Sequence, residues 1–264
     1  MWAERFTTLV EAINIAFTRV QVMTDPADKF VYFFGRMCME DFSEILLVCG
    51  NGYGAAGLKL LRSMYEHAVT LRYLHEHPEE VTTFMNYHHV QQYKLLKSIV
   101  ESFGNQAFDP ETAAEVEQKY TRVRDSFLIT DCKECGTKRL NHTWSKLDFV
   151  SIAKKAGAIG SLIVAGYFVP LRHAHSTYGG LKERLEIVDD RMGFKPDSQP
   201  DMADQALLVA HNCVLNVLEV QNERFKITGL GEKLETCFKD YLEIWVPNSK
   251  LSNNAGKNQH RPGA

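Results

Sequence analysis

The sequence predicts an all-α protein, a single multi-helix bundle without a significant sheet. Apolar residues recur at separations of three and four along most of the chain, which is the spacing of one buried helix face. Proline and glycine punctuate these segments, and no segment reads convincingly as a strand. Hydrophobic residues make up 45% of the chain and charged residues 24%, the composition of an ordinary globular domain.

The first part of the chain predicts four long helices, over residues 2–22, 27–48, 55–76 and 78–103. The first has a single apolar stripe and ends before Asp25-Pro26. The second is apolar on several faces, which predicts a central, buried position. Glycines at 50–54 separate it from the third helix. Pro78 ends the third and begins the fourth, whose acidic first turn suits the positive end of a helix dipole.

The remaining sequence predicts five helices, over residues 109–126, 145–156, 159–178, 202–225 and 232–245. The first of these is polar and should lie on the surface, and a loop over residues 129–143 follows it. Ser145 with Asp148 gives the next helix a start that resembles a capping box. Pro170 is expected to kink its helix or to mark a restart. Since no linker or repeat appears, we predict one domain over residues 1–246 and a disordered polar tail over 247–264.

Charge and hydropathy exclude several classes of protein. The net charge is -3, with 30 basic and 33 acidic residues, so no global field favours stable DNA binding, and any RNA contact must be local. The apolar runs are far shorter than the roughly 20 residues that span a bilayer. Glu4 stands where a signal peptide needs basic residues. The scattered cysteines suit free thiols in a reducing compartment. We therefore expect a cytoplasmic protein that does not bind membranes, and we expect no cofactor.

Two short motifs have weak support. Residues Gly52 to Gly57 match the G-x-G-x-x-G dinucleotide fingerprint, but helices are expected on both sides, which favours a helix–turn–helix connection that uses glycine for positive φ. Cys132 and Cys135 have the spacing of a zinc knuckle, with His142 as a candidate third ligand. A second cysteine pair is missing, so an exposed loop is favoured over a zinc site, and no metal is assigned.

The third predicted helix carries an Arg-x4-His pattern, Arg62 to His67. Metal-independent RNA cleavage needs a base for the ribose 2′-OH and a cation for the charge on the phosphorane, and His67 and Arg62 supply these groups. Five helical positions rotate by about 140°, so the two side chains diverge unless the helix is distorted or two subunits share the site. Arg62 and Glu66, four apart, are expected to form an ion pair. In the alternative interpretation, Glu66 merely holds Arg62 and His67 faces the core.

A second polar cluster interrupts the apolar segment from Tyr167 to Ser176. Arg172 and His175, three apart, share a helix face, and His173 lies between them. If this helix packs on the helix of the Arg-x4-His pattern, one polar pocket forms from Arg62, Glu66, Arg172, His173 and His175. Such a pocket is either a functional site or a buried network that fixes helix register.

The stretch from Gly57 through Arg62 and Glu66 to Glu80 resembles an uncharacterised, largely bacterial family catalogued as domain of unknown function 5677. Trp144, the segment Ala153 to Gly157, and Tyr167 followed by Arg172 and His175 extend the resemblance, which covers about residues 30–185. Such helical families are similar to HEPN-like bundles, whose known members are often ribonucleases of toxin and antiphage systems and usually dimerise.

This resemblance implies a HEPN-like homodimer that acts on RNA as a metal-independent endoribonuclease in a defence or toxin–antitoxin setting. The catalytic residues it implies are Arg62, His67, Arg172 and His175. The ligand-binding residues it implies are Glu66, His173 and Tyr167. The alternative is a non-catalytic helical module that binds a small ligand, a nucleotide or a protein partner.

Overall fold

The structure is a computed structural model that describes residues 2–18, 21–131, 135–195 and 199–246. Its helices are α1 (Trp2–Arg5), α2 (Thr7–Phe17), α3 (Pro26–Gly50), α4 (Gly54–Glu76), α5 (Val81–Phe103), α6 (Pro110–Val123), α7 (Phe149–Lys155), α8 (Val169–Ala174), α9 (Tyr178–Lys182), α10 (Pro200–Phe225) and α11 (Leu230–Trp245). Its strands are β1 (Leu128–Thr130), β2 (Lys138–Leu140), β3 (Leu185–Val188) and β4 (Arg191–Phe194). The predicted all-α class is confirmed.

The chain divides into two compact units, one formed by the residues up to Glu76 and from Ala153 onward, the other by His77–Ile152. In the larger unit, α3, α4 and α10 pack against one another, and α11 packs on α2 and α10. The facing sides of the three long helices are apolar and fully buried, as Ile45, Leu61 and Leu218 illustrate. The second long helix thus packs against two others as predicted, but Phe33 and Leu47 keep 56% and 66% of their surfaces exposed, so it is less buried than expected.

The start of α3 shows why the chain breaks at Asp25-Pro26. The backbone N–H of Asp28 donates to the Asp25 carboxylate at 2.8 Å, and the Asp28 carboxylate accepts from the Asp25 N–H at 3.3 Å, which completes a capping box. Arg224 Nε on α10 donates to the same Asp28 carboxylate at 2.6 Å. Burial opposes the charge on Asp28, but hydrogen bonds from Thr24, Arg224 and Asp25 outweigh it and lower the pKa.

The smaller unit has its own aromatic core. Buried side chains of α5, α6 and the segment after it form one cluster of Tyr87, Val90, Tyr120 and Phe127. Tyr120, the buried residue of the otherwise polar α6, stacks on Tyr93 with ring centroids 3.9 Å apart. The prediction that this polar helix lies on the surface is therefore confirmed.

The predicted helix over residues 159–178 is irregular. A 3₁₀ turn over Gly157–Leu162 leads into a π-helical segment over Val164–Phe168, followed by the short helix α8. The Val169 N–H donates to the carbonyl of Val164, five residues back. Pro170 has no N–H and crowds the carbonyl four residues before it, which is a physical reason for a widened turn at this point. The expected disturbance at Pro170 is confirmed, but the helix ends at Ala174, earlier than predicted.

Three further predictions need correction. Residues 129–143 and the region after α9 were expected to lack strands, yet β1–β2 and β3–β4 form two antiparallel hairpins. Strands of three or four residues are too short to show a clear alternation of polarity. The first helix breaks near Phe6 into α1 and α2. Asp148, not Ser145, caps α7, because its Oδ1 accepts from the Ser151 N–H at 2.7 Å.

Two other predictions remain untested. The predicted tail over residues 247–264 lies outside the described residues, and the single domain over residues 1–246 stays a prediction. Among the helices that the structure describes, none is long and apolar enough to cross a bilayer.

Candidate functional site

Arg62 lies at the edge of the core of the larger unit, on α4. Its neighbours Leu61 and Met64 are fully buried, whereas the Arg62 side chain keeps 22% of its surface exposed. Its Nε donates to Glu66 Oε1 at 2.9 Å, which confirms the ion pair expected from their spacing. This contact fixes one edge of the guanidinium and leaves its two Nη atoms for other partners.

Those partners come from the segment around α8. Arg62 Nη1 lies 2.7 Å from His175 Nε2, and Arg62 Nη2 donates to the Tyr167 hydroxyl at 3.4 Å. The guanidinium carbon also sits 4.8 Å from the centroid of the Tyr167 ring, in cation–π range. Arg62, Glu66, Tyr167 and His175 are called the Arg62–His175 cluster below.

The irregular backbone after residue 157 positions two members of this cluster. Tyr167 lies in the π-helical segment, and Gly166 before it packs directly on the ring of Tyr65 from α4. His175 follows α8 in an extended conformation, with φ -111° and ψ 159°, and its N–H donates to the Leu171 carbonyl at 3.2 Å. A continuous helix to residue 178 would have carried His175 in a different direction.

The contact between Arg62 and His175 suits one form of the imidazole. Arg62 has only donors, so a hydrogen bond between these two atoms uses a lone pair on His175 Nε2, which the neutral ring with its proton on Nδ1 offers. A neutral imidazole beside a permanent cation is a base next to an anion-binding group. This combination can take a proton from a hydroxyl while stabilising negative charge nearby.

The structure separates the expected pocket into two groups. Arg172 and His173 both pair with Glu183 instead of joining Arg62: Arg172 Nη2 contacts one carboxylate oxygen, and His173 Nε2 lies 3.1 Å from the other. Burial lowers the pKa of His173, Glu183 opposes this effect, and the cations Arg172, Arg184 and Lys59 add to it. Sequence reasoning missed Glu183, because the polar stretch around it resembles an ordinary solvated surface.

His67 has partners of its own. Its Nδ1 lies 2.8 Å from Asp41 Oδ2, and its ring meets Phe34 edge to face at a centroid distance of 5.8 Å. The side chain is 24% exposed, so it borders the core instead of lying within it. Arg62 and His67 thus have different partners, as helical geometry predicts. Sequence reasoning missed Asp41, which lies on a different helix, α3.

The glycines of the Gly52–Gly57 motif serve packing. Gly52 has φ +88° in the turn between α3 and α4, so the motif joins two helices, as predicted. A Cβ at Gly54 would collide with backbone at the start of α10, and one at Gly57 would collide with the sulfur of Cys49. These close approaches account for the spacing without a dinucleotide.

The zinc-knuckle motif is only partly described. Cys132 lies outside the described residues, and Cys135 is exposed, with its Sγ 2.9 Å from Thr137 Oγ1. Within the described part of the chain, no three His, Cys, Asp or Glu side chains gather in a way that could hold a metal ion.

Comparison with known proteins identifies one family. The family model of DUF5677, a family of unknown function, matches residues 29–192. This range contains every member of the Arg62–His175 cluster and also His67, Arg172 and Glu183. No curated protein and no solved structure matches the chain.

Proposed function

The chain belongs to DUF5677, a family of unknown function, and we propose that it is a metal-independent endoribonuclease with a HEPN-like bundle. The observation that carries this proposal is the 2.7 Å contact between Arg62 Nη1 and His175 Nε2, which joins a permanent cation to a neutral base. The site is accessible, because His175 is exposed and Arg62 is only partly buried. Glu66 and Tyr167 hold the guanidinium from two further directions.

The proposed reaction is internal transesterification of RNA. His175 Nε2 leaves Arg62 for the ribose 2′-OH and takes its proton, and the 2′ oxygen then forms a bond to phosphorus. Arg62 stabilises the negative charge of the phosphorane, and the Tyr167 hydroxyl donates a hydrogen bond to a phosphate oxygen. The bond from phosphorus to the 5′ oxygen breaks, the leaving oxygen takes a proton from water, and a 2′,3′-cyclic phosphate remains.

Glu66 acts as a positioning residue in this proposal. A free arginine side chain samples many rotamers, and holding it in one of them reduces the cost of binding a phosphate correctly. Because Glu66 occupies Nε, the Nη atoms face Tyr167 and His175. Arg172, His173 and His67 make other contacts and take no part in the proposed reaction, and the catalytic or binding roles expected for them are untested.

The wider setting is also a proposal, and it draws on the resemblance to HEPN-like proteins. It comprises a cytosolic homodimer that cleaves RNA in antiphage defence or in a toxin–antitoxin pair. A reducing compartment suits the buried cysteines Cys38, Cys49, Cys213 and Cys237, which are free thiols.

Incubation of the purified protein with total RNA in EDTA tests the activity. We expect the wild type to cleave and to leave 2′,3′-cyclic phosphate ends, and we expect Arg62→Ala and His175→Ala to lose at least about 100-fold in rate. His142→Ala is the matched control, since His142 is an exposed histidine of the smaller unit. Intact RNA with the wild type, or equal cleavage by His175→Ala and His142→Ala, overturns the proposal.

A further inference from the structure

The larger unit contains a second feature, a cavity of about 250 Å³ beside the first turn of α4. It is lined by Tyr53, Ala55, Ala56, Lys59, Arg184, Phe194, Lys195 and Gln199. Its charged lining residues, among those the structure describes, are all cations. This set of lining residues is called the cationic cavity below, and it shares no residue with the Arg62–His175 cluster.

Within the described residues, the cations of the cavity lack a carboxylate partner. Lys59, Arg184 and Lys195 form no ion pair with any carboxylate of the described residues. All three line one cavity, and the Lys195 N–H donates to the Arg184 carbonyl at 2.7 Å, which places these two residues side by side. Like charges gathered without a partner repel, and a bound anion would relieve that repulsion.

The backbone favours an anion at the same place. The cavity touches Ala55 and Ala56, in the first turn of a 23-residue helix. The Ala56 N–H donates to the Tyr53 carbonyl at 3.0 Å, which leaves the Ala55 N–H as the backbone donor for a ligand, and the helix dipole adds positive potential there. Helix N-termini bind phosphate groups for this reason, and here the side-chain cations reinforce the effect.

The aromatic lining residues add a second kind of contact. Tyr53 and Phe194 line the cavity and keep 57% and 56% of their surfaces exposed. The Arg184 guanidinium carbon lies 6.0 Å from the centroid of the Phe194 ring, so a planar ligand can stack on the Tyr53 ring or on the opposite face of Phe194. Bases stack on such rings whatever their sequence. Gln199 lines the cavity as well and adds a polar amide side chain to its wall.

We propose that the cationic cavity binds one nucleotide unit. Its phosphate contacts Lys59, Lys195 and the start of α4, and its base stacks on Phe194. The volume of about 250 Å³ lies just under the range of roughly 300 to 1,000 Å³ typical of small-ligand pockets, which suits a mononucleotide better than a dinucleotide. The unit can be a free nucleotide or the end of an RNA strand, since both present the same phosphate and base.

Titration calorimetry with 5′-AMP tests this proposal. We expect measurable binding by the wild type and about tenfold weaker binding by Lys59→Gln and by Lys195→Gln, because each loses a charged hydrogen bond to phosphate. Lys239→Gln on α11, also an exposed lysine, is the matched control and should bind like the wild type. Phe194→Ala should weaken 5′-AMP binding while leaving the binding of inorganic phosphate unchanged.

A 2′-O-methyl trinucleotide, which cannot be cleaved through its 2′ oxygen, identifies the source of the nucleotide. Binding of 5′-AMP supports a free nucleotide, and binding of the trinucleotide alone supports a strand end, provided that Lys195→Gln weakens it. The proposal fails if neither probe binds at millimolar concentration, or if the two lysine variants bind as tightly as Lys239→Gln. These measurements involve no cleavage, so a failure to bind would not count against RNA cleavage by His175, which is tested separately.

Discussion

Arg62 Nη1 and His175 Nε2 meet at 2.7 Å although the two residues are 113 positions apart in the sequence. The contact joins α4 to the chain just after α8, at the point where the backbone turns from helical to extended. It therefore depends on two features at once: the anchoring of Arg62 by Glu66, and the early end of the irregular helix before His175.

Glu66 should affect cleavage through Arg62. We expect Glu66→Ala to reduce the RNA cleavage rate about tenfold or more, because the guanidinium loses the contact that orients it. Glu66→Gln keeps an acceptor oxygen and should lose less. Glu76→Ala is the matched control, since Glu76 holds Arg72 Nε on the same helix with the same spacing, at 2.6 Å. Equal losses in Glu66→Ala and Glu76→Ala would argue against this orienting role.

His67 should prove structural. We expect His67→Gln to keep its cleavage rate within a few-fold of the wild type but to lose about 1 kcal/mol of unfolding free energy in urea, because Asp41 is 17% exposed and loses its partner. Replacing Asp41 by Asn in the same variant should recover part of that loss. A rate loss as large as that of His175→Ala would instead assign His67 to the chemistry.

Local patterns in the sequence predicted the long helices well. The observed bounds of α3, α4 and α10 lie within two residues of the prediction, because hydrophobic spacing and the flanking Pro and Gly residues define them locally. The hairpins were missed because their strands are short. Pro170 correctly predicted an irregular helix at this point. The end of α8 at Ala174, however, depends on packing against other elements, which a local sequence pattern does not encode.

The contacts of the candidate site were likewise predictable only where the two residues are close in sequence. The pairing of Arg62 with Glu66 follows from a spacing of four and was predictable, whereas its contact with His175 was expected only if two helices packed together. Asp41 and Glu183 were missed because each pairs with a histidine that is distant in the sequence or on another element. A lone carboxylate in a polar stretch gives no local sign of such a partner.

Gly166 should be intolerant of a side chain. A Cβ at this position would lie 2.5 Å from Cδ2 of the Tyr65 ring, which is fully buried and cannot move away without disturbing the core. We expect Gly166→Ala to cost about 1–3 kcal/mol and to lower Tm by several degrees in calorimetry. Gly50→Ala, where nothing lies within 4 Å of the added Cβ, should leave Tm unchanged or raise it slightly. An unchanged Tm in Gly166→Ala would contradict the close packing between this segment and α4.

His211 should make the fold sensitive to mild acid. It is 1% exposed on α10, and burial lowers its pKa to about 4, although Asp240 opposes the shift. Its Nδ1 accepts from Trp245 Nε1 at 3.2 Å, which also requires the neutral ring. Because the unfolded chain binds the proton more tightly, the stabilisation from a neutral His211 is complete above the unfolded pKa near 6.5 and declines as the pH falls toward 4.

The lost stability can be measured in urea at two pH values. Between pH 7 and pH 5, His211 takes up a proton in the unfolded chain but stays largely neutral in the folded protein. We expect this difference to remove about 2 kcal/mol of unfolding free energy. His211→Phe keeps an aromatic ring between Phe6 and Tyr241 and cannot titrate, so it should lose less over the same interval, whatever its stability at pH 7. The comparison uses the change with pH within each protein, which cancels any cost of the substitution itself. Equal declines in the two proteins would mean that other groups, among them the buried His173, dominate the acid sensitivity.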